Sequence, residues 1–455
     1  MIKFFAIGGA EEIGANSYYL NISGTGIVLD CGIHPRKNGI ESLPRFELLD
    51  ELPVDFVIIS HAHQDHIGSL PYLVQRFPHA IIFTTDQTKE IAELTLHNSV
   101  KILKDRLSSS DLLQPYNHEE IDLLVKSIRS YEYKESFFLR GLRHESSSDI
   151  SITFYDAGHI LGSAGIMIEH NGFKIFYTGD INMSPQEILA GADLPKEKVD
   201  VLIMESTYGK TDIAQIGTWN SEARRLVKAA NKVISQGGSI LIPVFALGKT
   251  QEMMLLISNL MKRSGLIETP IIAGGISKKI SRRYDVNRFK VNRQYIDSEL
   301  AYIADSDLYE VNVLSEIQKK STIVLASSGM ILEKTISHNL VKEWIKYKQN
   351  AVFIVGYMDP DTPGYRVANA VTGDEIKLSD FSIPGKVNCI VQRFYFPSHS
   401  NREELLNIVR ILKPGRVVLV HGDQDAIGWM GMKILELFTS MKVHAAEVGK
   451  WIEFN

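Results

Sequence analysis

Cysteine is scarce: the 455 residues hold two, Cys31 and Cys389. Two thiols cannot make a disulfide framework, and no Cys-x-x-Cys pair is present to form a metal knuckle. A reducing, cytoplasmic compartment is the expectation. Long apolar runs are also missing. None approaches the roughly 20 residues of a membrane helix, so no membrane partner is expected. The opening residues, MIKFFAIGGAEEIG, carry one lysine, a short apolar run and then acids, which is not a secretory pattern. Neither sign of charge dominates, with 49 Lys and Arg against 54 Asp and Glu and a net charge of −5. That balance argues against bulk coating of nucleic acid but permits a local basic groove. Low-complexity tracts and internal repeats are absent. What remains is 44% hydrophobic and 23% charged, a composition that excludes a disordered or fibrous chain. The length suggests two or three domains with a sizeable core.

Residues 17–22 and 26–30 alternate apolar and polar around Gly24-Thr25-Gly26, which predicts a hairpin. Asp55–Ser60 reads as a short buried strand, residues 84–105 and 117–130 as helices, and 151–156, 164–169 and 173–178 as strands. After about residue 205 strands and helices alternate: strand 239–245, helix 249–261, strand 270–274, strand 321–326, helix 335–347, strand 351–356. That alternation predicts a parallel α/β unit. The texture changes again near 386, with strands 387–396, 416–420 and 442–446 and helices 402–412 and 425–438. The Pro, Gly and Asp content of 357–375 predicts a mobile loop.

The sharpest signal is His61-Ala62-His63-Gln64-Asp65-His66, directly after a buried strand. Four metal-competent side chains fall within six residues, and burying them without a metal is costly. Imidazole and carboxylate donors suit zinc, and less often manganese or iron. Alternation puts His61 and His63 on one side of an extended segment, while Asp65 and His66 lie past the turn, able to face a second ion. Further candidates sit at strand ends: Asp30 in VLDCG, His159 in DAGHILG, Asp180 in FYTGD and His421 in VVLVHGD. Taken singly, Asp30 and Asp180 read equally well as turn or capping carboxylates.

On these residues the chain resembles the metallo-β-lactamase superfamily, and more narrowly its β-CASP branch of RNA-processing nucleases. Asp30 matches the first superfamily motif, residues 61–66 the second (His-x-His-x-Asp-His), His159 the third and Asp180 the fourth. The three β-CASP motifs are matched by Glu205 in VLIMESTYG, His399 in FPSHSNREEL and His421 in VHGDQDA. Asn401 stands where the second of these usually has aspartate. PVFALGKTQE, ASSGMIL and GYMDPDTPGYR also fit, so the resemblance covers essentially the whole chain. Neither the leading KH domains of archaeal members nor the extra C-terminal domain of ribonuclease J is expected.

The resemblance implies a four-layer αβ/βα metallo-β-lactamase domain from 1–205 and 386–455. A parallel α/β β-CASP domain would be inserted at 206–385, with the active site in the cleft between them. It implies two zinc ions, with manganese accepted by the same donors. His61, His63 and His159 would hold one, Asp65, His66 and His421 the other, and Asp180 would bridge them. Asp30 would accept a hydrogen bond that orients a ligand from behind. Ions about 3.5–4 Å apart generate hydroxide at neutral pH and clamp a phosphoryl group. Asp65, Asp180, Glu205 and His399 form the implied catalytic set, with His399 as general acid and Glu205 fixing its tautomer. The implied reaction is hydrolysis of single-stranded RNA to 5′-phosphate and 3′-hydroxyl ends, by endo- or 5′-exonuclease action. His421 favours RNA, since DNA-repair members are described with valine there. A DNA nuclease of the same branch and a small-ester hydrolase are the alternatives, and a homodimer is compatible with the family.

Some features stand outside the motifs. Gly248-Lys249-Thr250 lacks the earlier glycine of a Walker A loop, with Pro243 in its place, so no ATP site is expected. Lys249 is a candidate for the RNA backbone, as are Ser327, Ser328 and Gly329 past their strand. Residues 278–293 carry seven basic residues against Asp285, with Tyr284 and Phe289 interleaved, either a phosphate stripe with stacking platforms or a solvated face. His34, His79, His97, His118, His144, His170, His338 and His444 are read as surface or structural.

Overall fold

The computed structural model describes residues 1–107, 116–139, 149–212, 216–379 and 383–454, with no side-chain description over 101–107. His144 lies outside the described residues. The chain divides into two compact units. One is Met1–Ser184, Gly191–Ile213 and His399–Asn455, and the other is Pro185–Ala190 and Ala214–Ser398.

The first unit is built on two seven-stranded sheets. In one, the strands run in the order Ile452–Phe454, Ile2–Gly8, Ser17–Ile22, Thr25–Leu29, Phe56–Ile58, Ile81–Thr85 and Arg129–Tyr131. In the other the order is Lys442–Ala445, Arg416–Val420, Val201–Glu205, Phe173–Tyr177, Ala164–His170, Ile150–Asp156 and Ser136–Leu139. Their facing sides share one apolar core, with Phe4, Tyr18, Leu20 and Leu29 from the first sheet and Ile152, Phe154, Ile166, Ile203 and Val418 from the second. The outer face of the second sheet packs Phe176, Leu202 and Leu419 against Leu405, Ile408 and Met430 of the helices Arg402–Leu412 and Gln424–Leu437. The helices Asp86–Leu107 and His118–Ser127 belong to the first sheet's side. This is the four-layer αβ/βα arrangement, with the central strands Thr25–Leu29, Phe56–Ile58 and Val201–Glu205 buried on both faces.

The predicted hairpin closes Ser17–Ile22 onto Thr25–Leu29, with Tyr18 opposite Leu29. Its turn residues Ser23 and Gly24 both take positive φ, 51° and 90°, which matches the right-handed twist of the flanking strands. The helix after Asn117 starts with a reciprocal cap, Asn117 accepting from Glu120 N and Glu120 from Asn117 N.

The second unit holds a six-stranded parallel sheet in the order Ser306–Asp307, Ile271–Ala273, Ile323–Ala326, Ile240–Pro243, Ala351–Ile354 and Ile390–Arg393. Separate apolar clusters cover its two faces. Leu226, Met253 and Ile257 lie on one, and Val341, Trp344 and Val367 on the other. The strand near 390 pairs in parallel register with Ala351–Ile354, so it extends this sheet and the return to the first unit comes at His399, later than the expected residue 386. A β-rich segment declares itself a strand but not which sheet it joins. Residues 357–375 are not a bare loop either. Pro363–Ala368 forms a helix whose cap, Thr362, accepts from Tyr365 N, because proline suits the first helical position.

Candidate metal centre

Apart from His399, every motif residue lies at or just past the C-terminal end of a strand in the first unit. Asp30 follows Thr25–Leu29, residues 61–66 follow Phe56–Ile58, and His159 follows Ile150–Asp156. Asp180 follows Phe173–Tyr177, Glu205 ends Val201–Glu205, and His421 follows Arg416–Val420. Two of these residues, Asp30 (φ 58°) and His421 (φ 48°), occupy the left-handed region, a conformation that non-glycine residues hold only where surrounding contacts impose it. Gly179 (φ 53°) packs so closely on Ser60 that a Cβ would meet the Ser60 Cβ at 2.8 Å. The tight turn there delivers Asp180 into the cluster.

Three imidazole nitrogens converge. His63 Nδ1 lies 3.2 Å from His61 Nε2 and 3.1 Å from His159 Nε2. Donors about 2.0–2.1 Å from a tetrahedral zinc would be about 3.3 Å apart. Asp180 Oδ2 completes this group at 3.6 Å from both His61 Nε2 and His159 Nε2. The other oxygen, Asp180 Oδ1, lies 3.2 Å from His66 Nε2 and 3.2 Å from His421 Nδ1. Asp65 Oδ2 is 3.8 Å from His66 Nε2 and 3.5 Å from His421 Nε2. Donor atoms therefore form two groups, His61, His63, His159 and Asp180 on one side and Asp65, His66 and His421 on the other. Asp180 presents one oxygen to each.

The chemistry of the cluster calls for cations. Asp180 Oδ1 and His421 Nε2 are buried without a hydrogen-bond partner, and such orphans are rare unless an ion or water completes them. Burial, reinforced by neighbouring His66, drives the His61 imidazole well below its ordinary pKa, so it stays neutral, the ligand form. Burial acts the same way on His66, but the Asp180, Asp65 and Asp30 carboxylates outweigh it and hold that imidazole well above its ordinary value. Burial opposes ionisation of Asp180 too, yet His421 and His66 keep its carboxyl well below the usual range. Asp65 is likewise held low against burial, by His66 and His421. Buried anions this dense match a dication better than a proton, and the cluster has the capacity for one or two metal ions.

A shell of supporting contacts sets the ligand orientations. Asp30 Oδ2 accepts from Ser60 Oγ (2.7 Å), Tyr177 OH (2.6 Å) and His66 Nδ1 (2.8 Å), and Asp30 Oδ1 from Ser60 N (2.6 Å). With Nδ1–H committed to Asp30, His66 turns Nε2 to the cluster. Ser60 Oγ also lies 3.0 Å from His61 Nδ1, and Thr207 Oγ1 3.0 Å from His421 Nδ1. Asn16 Nδ2 donates to Asp65 O at 3.0 Å. Ser60, Tyr177, Thr207 and Asn16 were invisible to motif reading, being common residue types at no fixed spacing. For Ser60 the one available signal is its place between the strand and His61.

Glu205 and His399 form a third group with Asp180. Both Glu205 oxygens lie 3.1 Å from His399 Nδ1, and His399 Nε2 is 4.0 Å from Asp180 Oδ2. Against burial, Glu205 raises the His399 pKa. Glu205 is itself fixed by Ile181 N, which donates to Oε1 at 2.7 Å. Asn401, which replaces the family's usual aspartate, caps the helix Arg402–Leu412 by accepting from Glu403 N and Glu404 N.

The remaining candidates lie in the second unit. Lys249 is 5% exposed, and its Nζ donates to Phe396 O at 2.6 Å. Buried and bonded in this way, it is a structural lysine, which corrects its expected place on an RNA backbone. Ser327, Ser328 and Gly329 do follow the strand Ile323–Ala326, and Ser328 Oγ accepts from Leu332 N at 3.0 Å. Gly329 packs against Phe245. In the basic run 278–293, Tyr284 is core and Arg293 is bonded to Tyr284 O and beside Asp285, while Phe289 is exposed under Arg288. The run is therefore not one continuous stripe.

Comparison with known proteins agrees with this geometry. Residues 19–207 match a metallo-beta-lactamase superfamily domain, 250–367 a Beta-Casp domain, and 384–445 a Zn-dependent metallo-hydrolase RNA specificity domain. The chain is 31% identical over 461 residues to Endoribonuclease YSH1 of Eremothecium gossypii, covering 98% of the chain and 58% of that protein. It is 31% identical to Cleavage and polyadenylation specificity factor 73 of Drosophila melanogaster, covering 93% of the chain and 60% of that protein. It thus spans a little under two thirds of these relatives. A crystal structure of a protein of unknown function from Enterococcus faecalis V583 shares the fold, with a TM-score of 0.56 at 14% identity over 99% of both chains. Fold, donor groups and domain matches agree: the chain belongs to the metallo-β-lactamase superfamily, in its β-CASP branch.

Proposed function

We propose that this protein is a zinc-dependent ribonuclease that cleaves single-stranded RNA internally, leaving 5′-phosphate and 3′-hydroxyl ends. The observation that carries the reading is the shared carboxylate. Asp180 turns one oxygen to the His61, His63 and His159 group and the other to the His66 and His421 group, next to the Glu205–His399 pair. Two zinc ions, held by these groups, would supply Lewis acidity toward a phosphoryl oxygen and an activated water for in-line attack. Asp30 would orient His66, and Glu205 would keep a proton on His399 Nδ1 and favour its charged form. His399 Nε2 would then protonate the leaving oxygen.

RNA rather than DNA is favoured by the RNA specificity domain match and by the relatives named as an endoribonuclease and a cleavage and polyadenylation specificity factor. No helix among the described residues is long and apolar enough to cross a membrane. The buried free thiols Cys31 and Cys389 are in keeping with a cytoplasmic protein.

The test is cleavage of one single-stranded RNA labelled in turn at each end, with a DNA of the same sequence alongside. Internal fragments with 5′-phosphate ends support the proposal. Fragments with 2′,3′-cyclic phosphate would refute attack by water, and faster cleavage of the DNA would reverse the substrate assignment.

A further inference from the structure

The second unit carries a cleft of about 430 Å³, bordered by the helices Trp219–Ile234 and Lys249–Arg263 and by Tyr295. That volume suits a small ligand. Arg224 and Arg263 both line it, and neither guanidinium has an ion-pair partner among the described residues. The Arg263 guanidinium lies 5.2 Å from the centre of the Tyr295 ring, a cation–π distance. Tyr295 is 40% exposed and sits at φ 47°, an uncommon conformation for an aromatic residue.

The segment around Tyr295 is fastened. Gln294 N donates to Ile188 O at 2.7 Å, Ser298 N donates to Tyr295 O at 2.9 Å, and Arg293 donates to Tyr284 O at 3.1 Å. The single carboxylate in the lining, Glu187, accepts from Asn259 Nδ2 at 2.7 Å. The Trp219 indole N–H is buried without an acceptor. The cleft thus joins two unpaired cations, an ordered aromatic face and an unused donor. A phosphate with a planar base attached satisfies all three, because guanidinium forks fit phosphate oxygens and aromatic rings stack on any base.

We propose that this cleft is an accessory subsite for one nucleotide of a single-stranded RNA, its phosphate on Arg224 and Arg263 and its base on Tyr295. The substrate class rests on the ribonuclease reading above, but the cleft is built from none of the metal-centre residues.

The test uses the full chain and a fluorescein-labelled single-stranded RNA, with EDTA present to withhold the metal that cleavage requires, followed by anisotropy. R224A/R263A is expected to weaken binding at least tenfold and Y295A about five- to tenfold, within the range set by loss of one stacked base. The plot of log affinity against log salt should flatten by about 0.7 for each phosphate that the variant no longer neutralises. R224K/R263K, which keeps the charge, should retain the wild-type salt slope, separating phosphate binding from simple misfolding. Unchanged affinity and slope in R224A/R263A, with end-labelled RNA still cut by the wild type, would overturn the subsite and leave the ribonuclease reading standing. Wild-type binding that the double variant loses, without cleavage of any RNA, would uphold the subsite and overturn the ribonuclease reading. A probe that the wild type does not bind overturns the subsite.

Discussion

Both carboxylate oxygens of Glu205 lie 3.1 Å from a single atom, His399 Nδ1. The pairing holds Nδ1–H toward Glu205 and leaves Nε2 on the side of Asp180, 4.0 Å from Oδ2. On the general-acid proposal, His399 would act on the leaving group without being needed to bind metal. His399→Ala should therefore keep the fold and the metal content but lose about 10²–10⁴-fold in single-turnover cleavage. Glu205→Gln should lose less, because His399 remains. Normal cleavage by His399→Ala would remove the general-acid assignment.

Metal stoichiometry separates the two donor groups. His63 belongs to one group only, whereas Asp180 offers an oxygen to each. If two ions bind, His63→Ala should lose about one and Asp180→Ala should lose both, with activity abolished in each. Metal content by atomic absorption after gel filtration reads this directly. Equal loss in the two variants would mean that Asp180 is not shared.

Asp30 touches no cluster nitrogen except His66 Nδ1, yet it gathers four donors. In Asp30→Asn an amide NH₂ must face at least one of those N–H or O–H groups, with no solvent to relieve it. Zinc affinity should fall about 10–100-fold, as for other partners of ligand histidines. Tyr177→Phe removes one of the four bonds and should cost about 1 kcal/mol of stability. Competition against a chelating dye measures the first, and urea unfolding the second. An Asp30→Asn protein with wild-type zinc affinity would show that His66 needs no such partner.

Lys249 is expected to act on stability rather than on RNA. Burial lowers its pKa to about 8, with Glu252 opposing the shift. The bond to Phe396 O joins the start of its helix to the segment after the strand Ile390–Arg393. Lys249→Ala should lower the unfolding free energy by about 1.5–3 kcal/mol, the scale of a charge-assisted bond. The KM for RNA, measured well below the unfolding midpoint, should stay at the wild-type value. A raised KM with unchanged stability would restore the lysine to the RNA surface.

These cases show which features a sequence reveals. His61, His63, Asp65 and His66 were legible because four polar side chains in six residues cannot be buried cheaply without a common purpose. Asp30, Asp180 and His421 were legible only as strand-end polar residues within a matching series. Ser60, Tyr177 and Thr207 were not legible, because their roles depend on contacts spanning up to 214 residues, as between Thr207 and His421. Burial was the commonest source of error. Lys249, Tyr284 and Arg293 read as solvent-facing cations and a stacking ring, but packing against distant strands and loops placed them inside. The strand Ile390–Arg393 was visible, whereas its partner Ala351–Ile354 was decided by register in three dimensions.

Asp156 makes the pH dependence of stability testable away from the ligands themselves. Burial raises its carboxyl to about 7, Asp193 adds to the shift, and the Gly158 N–H bond at 2.9 Å partly offsets it. The folded state therefore holds this proton up to about pH 7, while the unfolded chain releases it near pH 4. Between those values the native state binds more protons, so this contribution is fully present below about pH 4 and is lost as pH rises through 7. Asp156→Asn keeps an oxygen for the Gly158 N–H and cannot ionise. Compared with the variant, the wild type should lose stability across pH 4–7, to the extent of a few kcal/mol at about 1.4 kcal/mol per unit. At pH 8 the variant should be the more stable of the two. Urea midpoints at pH 5, 6, 7 and 8 give the difference curve directly. Parallel curves for the two proteins would mean that Asp156 is ionised throughout and that its environment is wetter than its burial indicates.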